Sequence, residues 1–134
     1  TFSAPILGIW MFDWIWVAIG GAAGSILRHG TTIAFQRLTQ SNWPWGTFVV
    51  NVLGSFFIGW LAYLVVERGA ISIQARLIIM VGFLGGFTTF STFSLDTLRL
   101  IQEGGWKSAA ANAVLSVAGG LIAAWAGFSI ASSI

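Results

Sequence analysis

The sequence predicts an all-α integral membrane protein with four transmembrane helices per subunit, the third of them broken. Three observations carry this. Of the 134 residues, 57% are hydrophobic and only 7% charged, and a mean hydropathy of +0.88 leaves too few polar side chains to cover a water-facing globule. Apolar runs recur at 13–37, 46–66, 75–101 and 106–131, each long enough for the ~20 residues that a helix needs to cross the hydrocarbon core. The third run is interrupted by a stretch rich in glycine and hydroxyls.

The first run carries Gly20-Gly21-Ala22-Ala23-Gly24-Ser25, whose small-xxx-small spacing lets another helix approach closely. Arg28 and His29 follow. An arginine at membrane depth is costly unless it faces a cavity, finds a partner or snorkels. Arg28 is therefore expected either in a vestibule or structural pairing, or as an end anchor. His29 has no carboxylate or second histidine at ligand spacing, so no chemistry is expected of it. Trp10, Trp14, Trp16, Trp43, Trp45 and Trp106 fall near run ends, where indoles settle at headgroup level.

Ser41-Asn42-Trp43-Pro44-Trp45-Gly46 reads as a turn. In the second run Thr47, Asn51 and Ser55 stand at i, i+4 and i+8, a polar stripe expected to line one wall with donors. The short link from Glu67-Arg68 to Gln74-Ala75-Arg76 makes runs two and three antiparallel neighbours.

The third run contains Gly82-Phe83-Leu84-Gly85-Gly86-Phe87-Thr88-Thr89-Phe90-Ser91-Thr92-Phe93-Ser94. The Gly85-Gly86 pair and the dense hydroxyls after it weaken a continuous helix. A break is tolerated in a bilayer only where protein or a polar cavity satisfies the freed backbone. Phe90 and Phe93, at i and i+3, share a face and present either ring edges to a cavity or plain packing surface. Asp96 and Arg99 are spaced as a surface ion pair. In the fourth run Asn112, Ser116 and Gly120 form a second polar stripe, beside a small-residue face of Gly119, Ala123 and Gly127.

Net charge +2 arises from six basic and four acidic residues scattered along the chain, so no nucleic-acid partner is expected. With no cysteine and one histidine, thiolate metal sites, disulfide frameworks and most zinc chemistry are excluded. No nucleophile, base and acid converge, so no enzyme and no catalytic residue is expected. Residues 1–12 lack a basic n-region and a small-residue cleavage site and read as an N-terminal tail. Residues 13–134 read as one domain, undivided by linker or repeat. Arg68 and Arg76 on the side of the termini stand against Arg37, Arg99 and Lys107 on the other, too even a count to fix orientation.

Two polar faces, a broken helix and no mid-membrane carboxylate describe a path for a small anion, served by uncharged amide and hydroxyl donors. At the break, the second half-helix aims a positive N-terminus at the cavity, while carbonyls freed from the first half suit a cation. From about Asp13 to Phe128, and most specifically through Gly85-Gly86-Phe87-Thr88-Thr89-Phe90-Ser91-Thr92-Phe93-Ser94 and Gly46-Thr47-Phe48-Val49-Val50-Asn51, the sequence resembles the Fluc (CrcB-type) fluoride channels.

The resemblance implies an antiparallel, dual-topology homodimer with two fluoride pores and a central structural sodium ion at the dimer interface. It implies that Phe90 and Phe93 are pore phenylalanines with Asn51 as the donor beside them. Ser91 and Thr92 would lie near the pore, and Ser116 on a polar track of the fourth helix. Backbone carbonyls of Gly85 and Thr88 would hold the sodium. Asn112 and Gly120 occupy positions where members of the family are expected to vary. The expected function is passive export of cytoplasmic fluoride through the plasma (inner) membrane, conferring fluoride resistance. Two other classes compete: a small dual-topology proton-coupled drug exporter, which wants a membrane-embedded carboxylate, and a non-transporting scaffold subunit, which does not explain the Thr/Ser/Phe run.

Overall fold

The computed structural model describes residues 6–134, with side chains from Phe12 onward. Residues 1–5 of the expected tail, and the Trp10 side chain, lie outside the described residues. Helix α1 spans Ile6–Thr39 and α2 spans Trp45–Val66. The third crossing is composite: α3 (Ile73–Arg76), a π-helical stretch (Leu77–Leu84), α4 (Gly85–Phe87) and, after a break, α5 (Phe90–Gln102). Helix α6 spans Trp106–Ser132. Among the described residues there is no strand. Trp45–Val66, Ile73–Gln102 and Trp106–Ser132 are long and apolar enough to cross a membrane. Helix α1 is the longest, at 34 residues, but Asp13, Arg28, His29 and Arg37 dilute its apolar surface. The chain is a multi-pass membrane protein.

Local chemistry ends each span. After α2, Gly69 takes a left-handed φ of +56°, and the Ala70 N–H returns to the Leu64 carbonyl at 3.0 Å, which closes the helix end. Ser72 caps α3 by accepting the Ala75 N–H at 3.2 Å. Between α1 and α2, Trp43 packs on Trp45 with ring centroids 4.5 Å apart and meets Phe48 edge-on at 5.4 Å, a wedge that stiffens the turn.

Small residues set the packing. A Cβ on Gly20 would strike the Ile78 carbonyl, and one on Gly24 the Phe83 carbonyl, so α1 lies backbone to backbone against the π-helical stretch. Gly82 and Gly86 answer from the other side, facing the Val17 and Gly21 carbonyls. Helix α2 meets α6 in the same way: Gly59 faces the Ala124 carbonyl and Gly127 the Phe56 carbonyl. Without a hydrophobic drive between helices in lipid, such close approach supplies the dispersion contact that holds a bundle together. The first half of the third crossing packs on α1, whereas α5 packs on α6. The break is where the chain passes from packing on α1 to packing on α6.

Candidate functional site

The helix opens at Thr88 and Thr89, not at Gly85-Gly86. Thr88 (φ −87°, ψ 157°) and Thr89 (φ −155°, ψ 119°) are extended, whereas both glycines remain helical. The physical reason lies in the hydroxyls. Thr88 Oγ1 donates to the Leu84 carbonyl at 2.9 Å and finishes the first half. Thr89 Oγ1 accepts the Thr92 N–H at 3.1 Å and starts α5 as its N-cap. Gly86 instead admits the α1 backbone, and Gly85 faces open space, with nothing nearer its Cβ position than the Met80 carbonyl at 4.0 Å.

Side chains from two other helices satisfy the opened backbone. Asn51 of α2 takes Thr89 on both edges: its Nδ2 donates to the Thr89 carbonyl at 3.0 Å, and its Oδ1 accepts the Thr89 N–H at 2.7 Å. Arg28 of α1 points Nη1 at the Thr88 carbonyl, 3.4 Å away. Arg28 thus has a backbone partner at the break, through a long contact. Because the Thr89 N–H goes to Asn51, the Gly85 carbonyl four residues earlier loses its ordinary helical donor.

Asn51, Ser55, Gly85, Thr88, Thr89 and Phe90 border an open groove of about 320 Å³ on this face. Thr89 Oγ1 also lies 3.2 Å from Ser91 Oγ and donates to Thr92 Oγ1 at 3.1 Å, so a hydroxyl cluster surrounds the N-terminus of α5. Phe90 is 78% exposed, so within one chain it is not packing material. Phe93 is half-buried beside it, with ring centroids 5.5 Å apart and planes tilted by 46°.

Beyond the cluster lies a second, more polar recess of about 290 Å³, bordered by Thr32, Gln36, Thr47, Thr92, Asp96 and Arg99. The expected Asp96–Arg99 pair is long, at 3.9 Å, and the Arg99 side chain is 62% exposed, so it contributes little. Asp96 is held instead by buried Thr47, whose Oγ1 donates to Oδ2 at 2.7 Å. Two members of the α2 stripe are engaged with the third crossing: the Thr47 hydroxyl donates to Asp96, and one of the two Asn51 Nδ2 protons goes to the Thr89 carbonyl, while Ser55 borders the groove without such a bond among the described residues. On α6, Asn112 donates to Thr97 Oγ1 at 2.9 Å and accepts from Ser116 at 3.3 Å, which makes the second stripe an interhelical tie as well.

Thr97, the bond from Thr47 to Asp96 and the capping role of Thr89 form no part of the sequence reading. The Thr89 to Thr92 spacing carried a cap signal, but the Thr47–Asp96 and Asn112–Thr97 bonds join residues whose proximity only the fold creates.

Residues 15–128 match the family model described as CrcB-like protein, Camphor Resistance (CrcB). The chain is 46% identical over 125 residues to a protein of Rhizobium johnstonii, covering 92% of each. It is 44% identical over 116 residues to one of Opitutus terrae, covering 85% of this chain and 88% of that protein. It is 45% identical over 112 residues to one of Magnetococcus marinus, covering 84% and 91%. Each of these relatives is named a fluoride-specific ion channel, FluC. With a family model spanning nearly the whole described chain and relatives this similar end to end, the protein belongs to the CrcB-like family.

Proposed function

We propose that this protein is a fluoride-selective channel that lets cytoplasmic fluoride leave passively through the plasma membrane, and that it catalyses no reaction. The observation that carries the reading is the break itself: uncharged hydroxyl and amide groups converge on a helix N-terminus beside an exposed phenylalanine, in a chain whose relatives are named fluoride-specific channels. Hydroxyls at the start of α5 donate to a small, strongly hydrogen-bonding anion, and the helix dipole favours negative charge there. A narrow path of this kind disfavours a larger, weaker acceptor. Phe90 and Phe93 present ring edges, Ser91 and Thr92 supply donors, and Ser116 extends the polar line along α6.

The conducting unit is an antiparallel, dual-topology homodimer with two pores. Four helices packed through Gly and Ala leave no aqueous pore inside one subunit, while Phe90 and the groove bordered by Gly85 and Thr88 remain open on the subunit surface. A structural sodium ion suits this face. The Gly85 carbonyl is freed by Asn51, and the Thr88 carbonyl keeps a lone pair beside its long contact with Arg28; neutral oxygens at a helix end are the donors a hard monovalent cation takes. The drug-exporter alternative is not favoured, since the acid nearest the site, Asp96, is engaged by Thr47 and lies toward the end of the bundle. The test is fluoride and chloride efflux from liposomes containing the purified protein. Fluoride efflux with chloride retained is the expected result, and comparable chloride efflux would refute the reading.

A further inference from the structure

Asn112 sits between α5 and α6 with 1% of its surface exposed, and the hydrogen bonds around it run in one direction. Thr97 Oγ1 donates its single proton to the Phe93 carbonyl at 2.8 Å. That oxygen then has only lone pairs to offer, so the Asn112 atom 2.9 Å away is the amide nitrogen. This orientation turns Oδ1 toward Ser116, whose hydroxyl donates to it at 3.3 Å. The only proton Ser116 owns is thus held by an internal acceptor, through a bond at the long, weak end of the range. Ser116 is half-exposed. One turn further along α6, the Cβ position of Gly120 lies 3.3 Å from Ser55 Oγ, so this stripe runs beside a residue of the groove.

We infer that Asn112 determines specificity without touching the ion: its Oδ1 competes with a passing anion for the Ser116 proton. The inference rests on the fluoride-channel reading and deepens it. Fluoride, a compact and strong acceptor, draws the hydroxyl away from a weak neutral bond. Chloride, larger and more diffuse, does not, and meets the lone pairs of Ser116 instead. The Thr97–Phe93 bond is what makes the competition one-sided, because it prevents the amide from turning its donor toward Ser116.

A double-mutant cycle in liposomes tests this. In Asn112→Leu, which keeps the volume and removes the competing acceptor, the chloride-to-fluoride efflux ratio is expected to rise about fivefold, the factor one neutral hydrogen bond of ordinary net strength carries. In a Ser116→Ala background the same substitution is expected to leave the ratio unchanged. Thr97→Val, nearly isosteric, frees the amide to turn and is expected to move the ratio in the same direction, which keeps the test open where the Leu variant does not fold. A ratio unmoved by either substitution, or moved equally with and without the Ser116 hydroxyl, would overturn the inference. Absence of fluoride efflux from the wild-type protein would instead overturn the channel reading.

Discussion

Replacing Asn51 by Leu removes the clamp on the helix break while roughly keeping side-chain volume. Two hydrogen bonds to Thr89 are lost, at 3.0 and 2.7 Å. At about 0.6–1.5 kcal/mol for each bond in a membrane protein, the loss comes to ~1–3 kcal/mol. The groove of about 320 Å³ is open beside them, so water can reach the released Thr89 groups and spare them the full penalty of a buried, unsatisfied backbone. The cost therefore falls on local order more than on the global fold. Amide hydrogen exchange reads this directly: with a loss of that size, the Thr89 N–H is expected to exchange about tenfold faster in Asn51→Leu, whereas amides within α6 keep their protection. Fluoride efflux is expected to fall with it, because Thr89 also caps α5 and gathers the Ser91 and Thr92 hydroxyls. Unchanged exchange at Thr89 would refute the clamp and return Asn51 to the role of a free pore donor.

Other substitutions separate recognition from packing. Phe93→Ile removes a ring edge from a half-buried site; fluoride efflux is expected to collapse at a stability cost of only about 1–2 kcal/mol, and wild-type efflux in the folded protein would make the ring mere packing. Gly24→Ala drives a methyl into the Phe83 backbone and is expected to cost about 1–3 kcal/mol or more in thermal unfolding. Gly85→Ala meets nothing inside the subunit, so the fold of the subunit is expected to persist while pairing of subunits, read by crosslinking, weakens; a stable dimer in that variant would place the interface elsewhere. Single cysteines at Gln40 and Ser72, in loops at opposite ends of the bundle, are each expected to label from both faces of intact cells, and one-sided labelling of each would exclude dual topology.

Run lengths and hydropathy alone determined the class and the number of crossings, because the cost of exposing backbone and charge to hydrocarbon leaves a chain this apolar few alternatives. The glycine spacing in Gly20 to Gly24 likewise announced close helix contact, and the Gly/Thr/Ser/Phe run announced an interruption of the third crossing. The tertiary structure decided where the interruption falls and what each polar residue does with its protons. Composition marked the whole stretch, Gly85-Gly86 together with the hydroxyls that follow, and within it the glycines stay helical. The chain opens two residues later, where Asn51 and Arg28 wait with matching donors and acceptors. Sequence spacing places Thr47, Asn51 and Ser55 on one face but says nothing of what lies opposite. Hydrogen bonds at 49, 38 and 15 residues' separation in Thr47–Asp96, Asn51–Thr89 and Asn112–Thr97 depend on how α2, the third crossing and α6 pack, and packing is a property of the whole bundle rather than of any stripe.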